Sequence, residues 1–111
     1  MSTFTAYLKA LVESIEGAEG AVFADIEGET VAHYGSDATV LQALAGHLAL
    51  TVRDLQPRQL DDLLVRTSRA TLIVVPVQPD YFVALALTKE TLTVAATFAL
   101  RHTIDCLRAE M

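Results

Sequence analysis

The sequence predicts an α/β domain of the α+β kind, in which helices cover both sides of a five-stranded sheet. Three observations carry this. Helical and strand-like hydrophobic patterns alternate along the chain in the order α-β-β-α-β-β-β-α, with only short breaks. The segments 70–78 and 81–88 are apolar on both strand faces, which demands cover on both sides of the sheet. At 111 residues, with no linker, repeat or low-complexity segment, residues 1–111 are expected to form one domain able to bury a core without staples.

The first helix is expected over residues 3–15. Phe4, Tyr7, Leu8, Leu11, Val12 and Ile15 recur there at three- and four-residue spacing, while Lys9, Glu13 and Ser14 turn away. Ser2 or Thr3 supplies its N-cap, and Gly17 with Gly20 stops it. Residues 21–26 then read as a strand, Glu27-Gly28 as a tight turn and 29–34 as its hairpin partner. The polar run from Asp25 to Glu29 leaves the hairpin register open by one residue. Gly35 ends the second strand, and Ser36 and Asp37 offer helix caps.

The second helix is expected over 38–56, disfavoured beyond Gln56 by Pro57. Leu41, Leu44, Ala45, Leu48, Val52 and Leu55 make its apolar face. The opposite face carries Ala43, Gly46 and Leu50 beside His47, Arg53 and Asp54. A helix lying on one sheet needs a single apolar face, so this small, partly apolar back points to another helix approaching closely. Alanine alone would be explained by helix propensity. Gly46 is not, because a helical glycine lowers stability unless a local need compensates.

Residues 60–67 read as a third strand, polar at its start and apolar through Leu63, Leu64 and Val65. The fourth, 70–78, contains Pro76, which cannot donate a ladder hydrogen bond and so marks an edge or a bulge. Pro79-Asp80 turns the chain into the fifth, with Val83, Leu85 and Leu87 on one face and Phe82, Ala84 and Ala86 on the other. The closing helix, 92–108, has the mostly small stripe Leu92, Ala95, Ala96, Ala99, Thr103, Cys106 and Leu107.

Composition narrows the function. The chain is 52% hydrophobic and only 20% charged, which suggests that a partner covers some apolar surface. Its formal charge of −6 repels nucleic acid and anionic membrane surfaces. The single cysteine, Cys106, excludes an internal disulfide and a multi-cysteine metal site and suits a reducing compartment. The N-terminus shows no signal-peptide pattern, and the longest apolar run, 72–77, is too short to span a bilayer. A cytoplasmic location and no membrane insertion are expected.

The stretch from Leu11 to Asp25, LVESIEGAEGAVFAD, followed by the Glu27-Gly28 turn, resembles the opening of Roadblock domains. The Ala-rich second helix, the proline-bearing fourth strand and the closing helix extend the resemblance from about Phe4 to Leu107. The resemblance implies a Roadblock/profilin-like fold: an antiparallel sheet in order 2-1-5-4-3, one helix on one face and two on the other. It also implies a homodimer, or a heterodimer with a paralogous Roadblock domain, joined through paired third strands and packed second helices. Such domains commonly act as adaptors and regulators of small Ras-like GTPases, as dynein light chains or as scaffold subunits. Glu90 stands where many relatives carry a small or amide residue.

No catalytic, cofactor-binding or metal site is expected. His102 and Cys106 are four apart on a helix, but two ligands are too few, and His33 and His47 lie on other elements. Asp61 and Asp62, consecutive on a strand, would point to opposite faces and so cannot converge for acid–base work. Gly17-x-x-Gly20 precedes a strand instead of a helix and lacks the following Lys of a phosphate loop. Arg53, Arg58, Arg66 and Arg69 are candidates for contacting an acidic partner. The expected function is a dimeric interaction module, a regulator or scaffold subunit for a small Ras-like GTPase and not an enzyme. The expected interface is Ala43, Gly46, His47, Leu50 and Asp54 on the second helix with Leu63, Val65 and Thr67 on the third strand. The competing readings are a small-molecule-binding sensor, a small enzyme whose residues converge only in three dimensions, and a structural adaptor with no GTPase partner.

Overall fold

Two cores form, one on each side of a single sheet, because successive side chains of a strand point to opposite faces. The computed structural model describes residues 2–35 and 38–111. Its elements are α1 (Thr3–Ser14), β1 (Ala18–Asp25), β2 (Thr30–Gly35), α2 (Ala38–Leu55), a 3-10 turn (Gln56–Arg58), β3 (Leu63–Arg66), β4 (Ala70–Gln78), β5 (Tyr81–Thr88) and α3 (Thr93–Ala109). All strand pairs are antiparallel, in the order β2-β1-β5-β4-β3. The expected fold class and strand order are therefore observed.

On one face Phe23, Ile73, Val75, Val83, Leu85 and Leu87 meet α1 through Leu8, Leu11 and Val12 and α3 through Ala96, Leu100, Ile104 and Leu107. Phe4 closes this core edge-to-face on Phe23, with ring centroids 5.3 Å apart. On the other face Val22, Ala24, Leu72, Val74, Phe82 and Ala84 pack under α2 through Leu41, Ala45, Ala49 and Val52. The alternation along β5 divides its side chains between the two cores as expected.

Local chemistry sets the boundaries. Ser2 caps α1, its hydroxyl accepting from the Thr5 amide at 3.1 Å. β1 begins at Ala18, three residues before the expected start, because Gly20 pairs with Gly35 on one side and Ala86 on the other. At Gly35, φ is 114°, and an added Cβ would stand 2.4 Å from the Glu19 carbonyl oxygen. The β1–β2 register slips between Phe23 and Ala24, which is the one-residue ambiguity seen in the sequence. The caps expected at Ser36 and Asp37 lie outside the described residues.

Two expectations are corrected. β3 is four residues, not eight. Pro57 lies within the 3-10 turn that follows α2 and Gln59 takes a left-handed conformation at φ 59°, so the chain reaches the sheet only at Leu63. The stripe of α3 is also rotated from the expected one: Leu100 and Ile104 are buried, while Leu92 and Ala95 are exposed. Pro76 sits on an interior strand, but β3 pairs no further along β4 than Val74, so the proline meets no β3 partner. The register of β4 against β5 slips just after it, between Pro76 and Gln78.

Candidate interaction surface

The second helix exposes what the sequence left without an intramolecular use. Ala43, Gly46, His47, Leu50 and Asp54 are all exposed, and Leu50 retains 59% of its surface. Their spacing at three, four and seven residues places them along one side of α2. A Cβ added at Gly46 would meet nothing within 4 Å, so the fold leaves room for a side chain there. The backbone at Gly46 is nonetheless in use. A Cβ added at Gly28, where φ is 89°, would lie 3.3 Å from the Gly46 Cα, so the β1–β2 turn rests against α2 at this point.

That turn is fastened from both sides. The Asp25 carboxylate accepts from the amides of Glu27 at 3.0 Å and Glu29 at 2.9 Å. Arg53 donates to the Ile26 carbonyl at 2.8 Å and approaches Glu27 at 3.9 Å. Arg53 therefore already has an internal role, whereas Arg58, Arg66 and Arg69 are exposed.

β3 is an edge strand, paired to β4 on one side only. Leu63 and Val65 are half-buried against the core beneath α2, beside half-buried Leu44, Leu48 and Leu60. α2 makes its main sheet contact with β1 and lesser ones with β2 and β5, which sets it away from β3. The resulting ledge runs from Leu44 and Leu48 on the helix to Leu63 and Val65 on the strand. The sequence had assigned Leu44 and Leu48 wholly to the core; the offset of α2 is not visible in a helical period. Thr67 does not extend β3. Its hydroxyl accepts from the Arg69 and Ala70 amides at 3.2 and 3.0 Å and makes it the hinge of the β3–β4 turn.

Several other polar side chains have structural partners. Asp62 precedes β3 and pairs with Arg101 of α3 at 2.8 Å, both half-exposed. Arg108 donates to the carbonyls of Val77 and Pro76, fixing the end of α3 to β4. The His102 Nε2 and Cys106 Sγ atoms are 4.0 Å apart. Among the described residues, no group of three or more His, Cys, Asp or Glu side chains could hold a metal ion. None of their helices is long and apolar enough to cross a membrane.

A five-stranded antiparallel sheet of this order between three helices is the Roadblock/profilin-like fold, and Roadblock/LC7 structures superpose on it. MglC from Myxococcus xanthus superposes with a TM-score of 0.84 at 25% identity, covering 99% of this chain and 100% of its own. The Roadblock/LC7 domain from Streptomyces avermitilis gives 0.86 at 14%, covering 98% of each chain. Myxococcus xanthus MglB gives 0.86 at 13%, covering 98% of this chain and 94% of its own. No family model matches the sequence, and no curated protein matches it. The Roadblock resemblance stands on three-dimensional agreement across nearly the whole chain.

Proposed function

We propose that this chain is a dimeric interaction module of the Roadblock type that regulates or scaffolds a small Ras-like GTPase. The observation that carries the proposal is the exposed side of α2 at Gly46 and Leu50, beside a half-buried ledge ending at the free edge of β3. A two-fold axis beside this surface would bring α2 against its twin and β3 against its twin together, burying the ledge and closing the edge in one contact. The partner in that contact is a second copy or a paralogous Roadblock domain. MglB of the same fold occurs with a tetrameric arrangement, which supports self-association in proteins of this shape.

The GTPase assignment rests on the Roadblock resemblance alone; the 25% identity to MglC over almost the entire length of both chains supports the fold that carries it. Exposed Arg58 precedes β3, Arg66 ends it and Arg69 follows it, and together they offer cations to an acidic GTPase surface. The role is one of binding, and no catalytic step is assigned to this chain.

Light scattering of the purified chain over a wide concentration range tests the dimer. A stable dimer that Leu50→Glu converts to monomer is expected; a monomer throughout refutes self-association and leaves only a paralogous domain as the partner for this surface. Phosphate release from GTP-loaded small Ras-like GTPases of the source organism, with and without the chain, tests the second half. A change in rate or a nucleotide-dependent complex is expected, and neither with any of them removes the GTPase from the proposal.

A further inference from the structure

The N-terminal half of α3, on the sheet face opposite α2, carries apolar side chains that the fold does not cover. Leu92, Val94 and Phe98 retain 79%, 83% and 80% of their surface. Val94 and Phe98 stand one turn apart, and exposed Ala95 flanks Phe98, so they form a continuous crest. Between this crest and the end of α1 runs a groove of about 590 Å³. Its apolar walls are Ile15, Leu92, Ala95 and Ala99, with Glu16 contributed from the α1 end and Glu90 from the turn after β5. No Lys, Arg or His lines it among the described residues.

We propose that this groove and crest dock an amphipathic, basic helical segment of another protein. Apolar side chains four residues apart on that segment would lie over Phe98, Val94 and Leu92, and its lysines or arginines would meet Glu16 and Glu90. Charge selects this occupant over two others. A second copy joined by a two-fold axis would bring four carboxylates and no lining cation into one contact, on a chain already at −6. An anionic membrane surface has the same sign as the groove. α3 and α2 lie on opposite sides of the sheet, so the site is independent of the α2–β3 contact and both can be filled at once.

The test uses fluorescence anisotropy of labelled 15-residue helix-forming peptides with leucines four apart, flanked by lysines in one and glutamates in the other. The intact chain is expected to bind the lysine peptide saturably and about tenfold or more tighter than the glutamate peptide, as two exposed ion pairs allow. Phe98→Asp should abolish binding without lowering the melting temperature, since Phe98 is largely exposed. The double variant Glu16→Lys/Glu90→Lys should invert the preference. Binding blind to peptide charge, or no saturable binding of either peptide, overturns the proposal. So does a solution mass that falls on Phe98→Asp, which would make a second copy the occupant. Phe98-dependent binding to phosphatidylglycerol vesicles would overturn it in favour of a membrane.

Discussion

At the scale of single residues, two glycines look alike in the sequence and differ in space. At Gly35 the backbone is left-handed and an added Cβ would strike the Glu19 carbonyl oxygen and the Gly20 Cα at 2.4 and 2.5 Å. Gly35→Ala should therefore cost at least about 2 kcal/mol, read as a fall in melting temperature. Gly46 lies in helical backbone facing open space. In a monomeric background such as Leu50→Glu, Gly46→Ala should stabilise the fold by about 1 kcal/mol from helix propensity. In the native background it should weaken self-association, because a methyl group holds two helices apart. Opposite signs in the two backgrounds would mark Gly46 as an interface residue; stabilisation in both would not. Tyr7 gives a pH-dependent test. Burial, and next the Glu110 carboxylate that accepts its hydroxyl at 3.2 Å, raise its pKa above the ordinary 10.0. A raised folded-state pKa means that its contribution is complete below pH 10 and is lost as pH climbs through the folded value. Tyr7→Phe should flatten that alkaline part of the stability curve, measured by denaturant unfolding from pH 9 upward.

At the scale of elements, strong periodicity was readable and geometry between elements was not. The period-two division of β5 between two cores followed from the sequence, and the unbroken apolar run of β4 announced that both its faces are covered. α3 did not yield in the same way. Its small residues occupy several faces, and a stripe chosen for smallness omitted Leu100 and Ile104, which the core takes. The same rotation hid Val94 and Phe98, whose four-residue spacing was the available signal. β3 was overestimated because a left-handed Gln59 cannot be inferred from residue type alone. The β1–β2 turn shows how one polar residue supports several elements. Asp25 holds two turn amides, and the turn then seats on Gly46 and accepts Arg53 of α2. Asp25→Ala should cost about 1 kcal/mol, with Asp25→Asn recovering part of it by keeping the acceptor. Hydrogen exchange should quicken at Glu27 and Glu29, whose donors lose their partner; unchanged exchange there would show that the turn holds without the carboxylate.

At the scale of the whole molecule, the high hydrophobic share of the sequence has two exposed outlets on opposite sides of the sheet. One is the α2 side with the β3 edge, which offers both a self-complementary helix and unpaired strand groups. The other is the α3 crest, whose carboxylate rim disfavours pairing with itself. Composition announced the surplus of apolar surface, but only the fold separates it into two patches of different electrostatic character. The separation predicts how stability responds to concentration. If copies associate through α2 and β3, the folded dimer is favoured by mass action, and its melting temperature rises with protein concentration. Leu50→Glu should abolish that dependence, since burying a carboxylate against its twin in a closed interface is prohibitive. Phe98→Asp, on the other face, should leave the dependence intact. Differential scanning calorimetry of the three proteins over a hundredfold concentration range makes the comparison. A melting temperature independent of concentration in the native chain, or a slope removed by Phe98→Asp instead of Leu50→Glu, would transfer self-association away from α2.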